Sequence, residues 1–329
     1  MTKSKIGIMI HEGLRDQLFA PETRARLQEL GDVVWTDATS PLKSEEAGSL
    51  LQECVIGVGS WGTPPPNAEI LEACPDLRLW IHAAGTVKNF FGPHLEGRDL
   101  TIASCAPAIA DGVAEMVVGN LIVGLKRVLE NAAVNRQGKS AKPANSKTLS
   151  SSTVGVIGAS QVGRRVIAHL RYFGATVLLF DPFVTDDEAR AMDVHLVRDL
   201  NDLCGRSDAV TLHTPLLPAT HHIMGSPQFA VMHDDAVFIN CSRGGCVDEA
   251  ALIAELQKGR FFAFLDVTDP EPASEDSLLR SLPNVILTSH IAGGPQHKIG
   301  RQVAEDIEAW LAGRPLKMAV TADMLDRLA

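Results

Sequence analysis

The segment Thr153-Val-Gly-Val-Ile-Gly-Ala-Ser-Gln-Val-Gly163, with the residues that follow it as far as Asp181, decides the predicted fold. Its first residues are apolar and mostly β-branched, which predicts a short buried strand. Gly158 and Gly163 bracket a tight turn, and apolar residues then recur at helical spacing. A second apolar run at 175–180 predicts the next strand. The segment is therefore interpreted as strand, turn, helix, strand and acid.

Such a turn is expected to bind a pyrophosphate, because it leaves N–H groups at the start of a helix pointing at one spot. The predicted contacts are Gly158, Ser160, Gln161, Val162 and Gly163. Ser160 replaces the middle glycine of the G-x-G-x-x-G pattern, so the turn taken alone also fits an ordinary strand-to-helix connection. Asp181 follows Gly163 by 18 residues, about where an acid accepts hydrogen bonds from an adenosine ribose.

The composition limits the classes of partner. With 329 residues and 45% hydrophobic residues, the chain is expected to form two domains with substantial cores. The net charge is -10 and no basic cluster stands out, so we expect neither nucleic acid nor an anionic membrane as a partner. Six cysteines without a C-x-x-C pair favour reduced thiols, no metal site and a cytoplasmic location.

Targeting and membrane segments are not expected either. The first ten residues lack an apolar signal core and resemble a first strand. The longest apolar passage, Met116 to Leu125, is too short to span a bilayer and is predicted to be a buried helix.

Strands and helices are predicted to alternate in both halves of the chain, which indicates α/β domains with mostly parallel sheets. The predicted strands of the first half are 5–10, 33–35, 54–58, 79–83 and 100–103. Those of the second half, after 153, are 175–180, 209–212, 236–240, 261–265 and 285–288. A long helix is predicted at 107–129, and the polar stretch 135–152 is predicted to be a linker or surface arm.

Two loops in the first half follow predicted strand ends, where open parallel sheets bind ligands. One contains Trp61, which is interpreted either as a partly buried loop anchor or as a wall of a substrate pocket. The other is Ala84-Gly85-Thr86.

Three chemically active residues follow strand ends in the second half. Arg243 comes after the strand at 236–240, Glu271 after the strand at 261–265, and His290 after the strand at 285–288. Each one alone has a structural explanation, as a surface ion pair, a turn carboxylate or a core histidine. Because all three are expected at the sheet edge that carries the phosphate turn, we interpret them together as a reaction site.

The motifs around these residues resemble one known family. Asn240-x-x-Arg243-Gly-x-x-Val-Asp-Glu-x-x-Leu252, Leu265-Asp-Val-x-x-x-Glu271-Pro272 and Leu282-Pro-Asn-Val-x-Leu-Thr-x-His290-x-Ala-Gly293 are similar to the D-isomer-specific 2-hydroxyacid dehydrogenases. The resemblance covers the second domain and is weaker in the first, where it depends on residues 84–86 and 113–115. Thr268-Asp269-Pro270 departs from the aromatic-containing run that is commoner before the glutamate.

The resemblance implies a fold and an assembly. A Rossmann NAD-binding domain, residues 104–295, would be inserted into a flavodoxin-like catalytic domain formed by residues 1–103 and 296–329. Both would be doubly wound parallel sheets, and the protein would be a homodimer.

The resemblance also implies roles. Arg243 would bind the carboxylate or carbonyl oxygen of a 2-oxo acid, His290 would donate the proton, and Glu271 would fix the histidine tautomer. Asp181 implies NAD, since a carboxylate repels the 2′-phosphate of NADP. Further cofactor positions would be Thr214, Pro215, Cys241, Ser242 and Asp266. Substrate would also contact Ala84, Gly85, Thr86 and Trp61.

Several alternatives stay open at this level. The same fold could serve an NAD-sensing binding protein or corepressor-like scaffold, because it has relatives used as binding modules. The three reactive residues do not decide between the two functions, since such relatives can keep all three. The substrate could be glyoxylate, hydroxypyruvate, phenylpyruvate or a sugar-derived acid. A formate-dehydrogenase-like activity is disfavoured, since Glu271 stands where that subfamily resembles a glutamine.

Overall fold

The computed structural model describes residues 3–140, 142–143 and 145–327. The chain folds into two compact units, the first formed by Met1–Ile109 together with Gly294–Ala329 and the second by Ala110–Gly293. Positions 141 and 144 of the predicted linker lie outside the described residues, as do 1–2 and 328–329 at the chain ends.

The first unit contains a six-stranded sheet. The strands are β1 Lys5–Ile8, β2 Asp32–Trp35, β3 Ile56–Gly59, β4 Leu79–His82, β5 Thr101–Ser104 and β13 Ala319–Val320, and they lie in the order β13-β5-β4-β3-β1-β2. The order of the five parallel strands, 2-1-3-4-5, is that of flavodoxin-like folds, as predicted, and β13 pairs antiparallel with β5. The helices are α1 Glu12–Leu18, α2 Pro21–Leu30, α3 Ser44–Leu51, α4 Ala68–Ala73 and α12 His297–Leu311.

Both faces of this sheet are buried, as is usual for parallel sheets covered by helices. Leu79 and Ile81 of β4 belong to one apolar cluster with Val303 and Ile307 of α12. Trp80, which points to the other face, packs in a second cluster. Burying a large apolar side chain stabilises the fold by roughly 1.5–3 kcal/mol. The two clusters therefore hold helices on both sides of the sheet.

The second unit contains a seven-stranded parallel sheet. The strands are β6 Thr153–Ile157, β7 Thr176–Phe180, β8 His195–Leu196, β9 Ala209–Leu212, β10 Val237–Asn240, β11 Phe262–Leu265 and β12 Val285–Leu287, and they lie in the order β12-β11-β10-β9-β6-β7-β8. The strand order reverses between β6 and β9, and open α/β sheets bind ligands beside such a reversal. The helices after β6 are α7 Gln161–Tyr172, α8 Asp186–Met192, α9 Leu200–Arg206, α10 Ser226–Val231 and α11 Glu249–Leu256. The predicted doubly wound architecture is confirmed.

The helical segment after β5 differs from the prediction. Helix α5, Ala106–Leu125, ends four residues early, and a separate helix α6, Val128–Arg136, extends into the predicted linker. Arg127 between them adopts a left-handed conformation with φ 56°. Its side chain, 8% exposed, pairs with Asp235 and lies over the ring of Phe262, and these distant contacts fix the break.

Helix α5 is also longer than the predicted apolar passage. By length and composition alone it could cross a membrane, although half of the segment is buried within the protein. The core helices of globular proteins share this length and apolar composition.

Candidate active site

The turn after β6 has the geometry of a phosphate-binding turn. Gly158 has φ +94°, a conformation that favours glycine. A Cβ on Gly163 would lie 2.0 Å from the carbonyl oxygen of Gly158, so only glycine fits there. Gln161 and Val162 are the first two residues of α7, and their N–H groups have no partner within the helix. The helix itself therefore leaves these two N–H groups without an acceptor, and their binding of an anion stays a prediction.

Ser160 does not distort the turn. Its φ of -65° and ψ of -177° are ordinary for an L-residue, so the position does not require the glycine usual in the motif. Its Oγ accepts a hydrogen bond from the N–H of Gly163 at 3.3 Å and so caps the helix. The hydroxyl proton stays free to meet a phosphate oxygen.

Asp181 links the end of β7 to this turn. Its Oδ2 accepts from the N–H of Ala159 at 2.8 Å, and its Oδ1 accepts from the N–H of Phe183 at 2.8 Å. Each carboxylate oxygen keeps a further lone pair for a ribose hydroxyl. The sequence predicted the ribose contact but not the support that Asp181 gives to the phosphate turn.

The predicted cofactor positions after β9 and β10 lie on neighbouring strands of the same sheet. Thr214 and Pro215 follow β9, and the hydroxyl of Thr214 reaches the Sγ of Cys246 at 3.7 Å. Cys241 and Ser242 follow β10. Burial raises the pKa of the Cys241 thiol to about 12, so this side chain is a small neutral group.

Arg243 is held in place by its main chain. The buried amide of Asn240 donates to the carbonyl of Arg243 at 3.0 Å and accepts from the N–H of Ser242 at 3.0 Å. Within the described part of the chain, the guanidinium makes one recorded hydrogen bond, from Nη1 to the carbonyl of Ser242 at 2.6 Å. The half-buried Arg243 therefore keeps most of its planar donor fork for a ligand.

The loop that carries Arg243 touches the loop that leads to Glu271. A Cβ on Gly244 would lie 2.0 Å from the carbonyl oxygen of Thr268, so the two main chains are as close as glycine permits. The hydroxyl of Thr268 in turn donates to the carbonyl of Pro270 at 2.8 Å. This short polar contact links the two ends of the Thr268-Asp269-Pro270 run.

Glu271 and His290 form a pair. The Nδ1 of His290 lies 2.6 Å from Oε1 of Glu271, and the two side chains are 46% exposed for the histidine and 40% exposed for the glutamate. A carboxylate at Nδ1 fixes the tautomer and the orientation of the ring, which leaves Nε2 for proton exchange with a ligand. The structure thus brings together two residues that the sequence placed on neighbouring strands.

Asp266 holds the histidine loop from below. It is 1% exposed, and its carboxylate accepts from the N–H groups of Ile291 at 2.9 Å and Ala292 at 2.8 Å, and from the hydroxyl of Thr288 at 2.6 Å. Its carbonyl accepts from the N–H of His290 at 2.8 Å. These bonds stabilise the φ of 55° that His290 adopts, which is costly for a residue other than glycine. The sequence placed Asp266 beside the cofactor and missed this second role.

The remaining predicted residues belong to the first unit. Trp61 is 38% exposed in the turn after β3, where the N–H of Ser60 donates to the hydroxyl of Thr63 at 3.0 Å. In the turn after β4, Ala84 is buried, Gly85 half-buried and Thr86 exposed.

Metal ligands were not expected from the sequence. No group of three or more His, Cys, Asp or Glu side chains able to hold a metal ion occurs among the residues that the structure describes.

Comparison with known proteins identifies the family. Residues 118–292 match the model of the D-isomer specific 2-hydroxyacid dehydrogenase, NAD binding domain. The chain belongs to this family. The match contains the phosphate turn, Asp181, Arg243, Glu271 and His290, and it identifies NAD as the cofactor of this domain.

Curated relatives of the family are similar along most of the chain. A D-3-phosphoglycerate dehydrogenase of Methanocaldococcus jannaschii is 32% identical over 87% of this chain, which spans only 55% of that relative's length. Glyoxylate/hydroxypyruvate reductase B of Escherichia coli is 32% identical over 89% of this chain and 90% of its own length.

Solved structures share the fold. D-mandelate dehydrogenase of Rhodotorula graminis aligns with a TM-score of 0.79 and 20% identity, over 97% of this chain and 98% of that chain. D-lactate dehydrogenase of Lactobacillus jensenii, solved with NAD+, aligns with a TM-score of 0.79 and 23% identity, over 96% of this chain and 99% of that chain.

Proposed function

We propose that this protein is an NAD-dependent oxidoreductase that interconverts a small 2-oxo acid and the corresponding D-2-hydroxy acid. The observation that carries the proposal is the 2.6 Å pair of Glu271 and His290, placed on the sheet edge that also bears the phosphate turn and Arg243. A histidine positioned by a carboxylate is the arrangement that proton transfer requires. A scaffold that only senses NAD can keep such a pair without using it, so a turnover assay separates the two functions.

The cofactor residues fit a dinucleotide. The free N–H groups of Gln161 and Val162 and the hydroxyl of Ser160 suit the pyrophosphate, and Asp181 suits the adenosine ribose. When bound, NADH supplies the hydride that the carbonyl carbon of the substrate accepts. The carboxylate of Asp181 disfavours the 2′-phosphate of NADP by charge repulsion.

The protein's own residues supply the other requirements of the reduction. Arg243 binds the carboxylate or carbonyl oxygen through two parallel N–H groups and so orients the carbonyl. His290, charged, gives the proton of Nε2 to the carbonyl oxygen as the hydroxyl forms. Glu271 stabilises the imidazolium before this transfer and keeps the ring in one orientation. In the opposite direction, neutral His290 takes the hydroxyl proton.

The first unit serves as the substrate domain. We assign the N–H groups of Gly85 and Thr86 to the substrate carboxylate and Trp61 to the wall beside the substrate's variable group. The relatives named for glycerate, hydroxypyruvate and phosphoglycerate reactions favour a short polar 2-oxo acid. We also propose that the protein is a homodimer, as the family resemblance implies, and that it is cytoplasmic, as the cysteine pattern favours.

The test is NADH consumption across a panel of 2-oxo acids that includes glyoxylate, hydroxypyruvate, pyruvate and phenylpyruvate. We expect saturable turnover with at least one of them and the D-enantiomer as product. His290→Ala should lose most of this activity and still bind NADH.

Two results would contradict the proposal in different ways. NADH binding without turnover of any 2-oxo acid would favour the NAD-sensing scaffold. Turnover that survives in His290→Ala would remove the histidine from the proton transfer and leave the reaction class in place.

A further inference from the structure

The turn after β4 has its carbonyl groups directed into the first unit. Each of three successive carbonyl oxygens accepts a hydrogen bond from a residue at the end of a neighbouring strand. The bonds run from Ser60 Oγ to Ala83 O at 2.8 Å, from Cys105 N to Ala84 O at 3.1 Å and from Ser104 Oγ to Gly85 O at 2.5 Å.

The direction of these carbonyls fixes the direction of the N–H groups. In a trans peptide, the C=O of one residue and the N–H of the next point to opposite sides. The inward carbonyls of Ala84 and Gly85 therefore turn the N–H groups of Gly85 and Thr86 outward. Among the residues that the structure describes, no acceptor is recorded for either N–H group. Two adjacent outward N–H groups form a concavity that suits an anion.

Ser104 is the residue that sets the second of these groups. It is 1% exposed at the end of β5, next to His82 of β4 in the sheet register. Its Oγ donates to the carbonyl of Gly85, with a longer contact of 3.4 Å to that of Ala84, and accepts from the N–H of Ala106 at 3.1 Å. The N–H of Ala106 uses an acceptor position of the hydroxyl, which still has one proton to donate. That proton is donated to the carbonyl of Gly85, because this carbonyl is nearer than that of Ala84.

The position of Ser104 is itself fixed by a buried polar network. The carbonyl of Ser104 accepts from Nε2 of Gln302 at 3.1 Å, and Oε1 of Gln302 accepts from the N–H of Ala108 at 3.0 Å. Nε2 of Gln302 also donates to Asp306 at 3.1 Å, and Asp306 accepts from the N–H of Lys317 at 2.8 Å. Fully satisfied buried networks of this kind rigidify what they hold.

We propose that Ser104 is a positioning residue for substrate binding, because its hydroxyl holds the Gly85 carbonyl inward and so presents the Thr86 N–H to the carboxylate of a 2-oxo acid. This inference rests on the proposed function, in which the Gly85-Thr86 turn binds that carboxylate. Ser104 itself touches neither substrate nor cofactor, and it acts through the peptide between Gly85 and Thr86.

The test compares Ser104→Ala with the wild type in two assays, KM for the preferred 2-oxo acid and the Kd of oxamate for the NADH complex. Both constants should rise by roughly threefold to tenfold, the factor that a lost neutral hydrogen bond carries. The Kd of NADH and kcat should stay within about twofold of the wild type. Ser104→Thr, which keeps the hydroxyl, should restore oxamate binding.

Ser207→Ala is the matched control. Ser207 is also a fully buried serine whose Oγ donates to a carbonyl, that of Leu203 at 2.7 Å, and it precedes β9 at the opposite edge of its sheet from the cofactor turn. The Ser207→Ala variant should lose a similar hydrogen bond without a change in KM for the 2-oxo acid. If Ser104→Ala does not fold, Ser104→Cys, with a weaker donor, should show the same direction of change.

The outcomes separate this inference from the function on which it rests. An active wild type together with a Ser104→Ala variant of unchanged KM and oxamate affinity would overturn the role of Ser104 alone. Equal losses in the alanine and threonine variants would also overturn it, because the hydroxyl would not be the cause. A wild type that neither reduces a 2-oxo acid nor binds oxamate would overturn the proposed function together with it.

Discussion

Gly244→Ala tests whether the contact between two main chains sets the geometry of the reaction site. A Cβ at this position would lie 2.0 Å from the carbonyl oxygen and 2.1 Å from the carbonyl carbon of Thr268. Van der Waals contact between such atoms needs about 3.5 Å, so the loops must separate by roughly 1 Å or more. Backbone atoms cannot rotate away as a side chain can. The separation would therefore move Arg243 relative to Glu271.

The expected consequence is a large loss of rate. A displacement of about 1 Å between reacting groups costs on the order of 10²-fold, so kcat/KM for 2-oxo acid reduction should fall by about that factor. Overpacking of this kind also costs typically about 1–3 kcal/mol of unfolding free energy, so Tm should fall. The Kd of NADH should change less than kcat/KM, because the phosphate turn and Asp181 follow other strands and are not displaced.

Gly245→Ala provides the control at the next residue. Its Cβ would lie 3.1 Å from a methyl group of Leu216 and 3.2 Å from a carboxylate oxygen of Asp269, and both are ends of side chains that can move. This variant should retain activity within about threefold. Steady-state kinetics, NADH titration and thermal unfolding of both variants make the comparison. A Gly244→Ala variant with near wild-type kcat/KM would refute the reasoning, as would equal losses in both.

Four further predictions concern individual side chains. Arg243→Lys keeps the charge but loses the planar fork, so kcat/KM should fall about 10²-fold with NADH affinity retained, and full activity would reduce Arg243 to a structural role. The wild type should prefer NADH to NADPH by about tenfold or more in kcat/KM, and Asp181→Ala should reduce this preference. Equal kcat/KM for the two cofactors in the wild type would exclude the proposed repulsion between Asp181 and the 2′-phosphate. Glu271→Gln replaces the carboxylate 2.6 Å from Nδ1 of His290 by a neutral amide that orients the ring less well, so kcat/KM for reduction should fall about tenfold with NADH affinity retained, and an unchanged kcat/KM would contradict this positioning role. Burial lowers the pKa of His82 from 6.5 to about 4, so the unfolded chain binds more protons than the folded one between these pH values. The free energy of unfolding should therefore fall as the pH is lowered through this window, by about 1.4 kcal/mol per pH unit. Urea unfolding of His82→Asn should show a smaller pH dependence of this free energy, and an equal pH dependence in both proteins would contradict this account.

The architecture could be predicted because its strands and longer helices have clear patterns. The bounds of helix α2 are visible in the sequence, since Pro21 begins it, Gly31 follows it and Leu27 lies on its buried face. The proximity of Glu271 and His290 could be predicted because parallel strands place the residues after their carboxyl ends at one edge. That rule needs no knowledge of how one loop packs on another.

The elements that the sequence did not predict are short or depend on distant contacts. Helices α8, α9 and α10 have six or seven residues, about two turns or fewer, so no periodicity is visible. Strands β8 and β13 have two residues each. The break at Arg127 comes without a glycine or proline signal, because it is stabilised by Asp235 and Phe262, which are far away in the sequence. Local patterns contain no information about such contacts.

Contacts between residues that are far apart in the sequence also explain how half-exposed reactive residues keep a defined position. His290 and Glu271 are 46% and 40% exposed, so burial of their own side chains does not hold them. The histidine depends on the buried carboxylate of Asp266, which binds two N–H groups of its loop, and the arginine loop depends on the glycine contact at Gly244. Hydrogen bonds to a carboxylate are each worth about 1.5–3 kcal/mol. The bonds to Asp266 can therefore offset the strain of the histidine loop. Substitutions at Asp266 and Gly244 are therefore expected to reduce kcat, whereas substitutions at Trp61 are expected to change which 2-oxo acid is accepted.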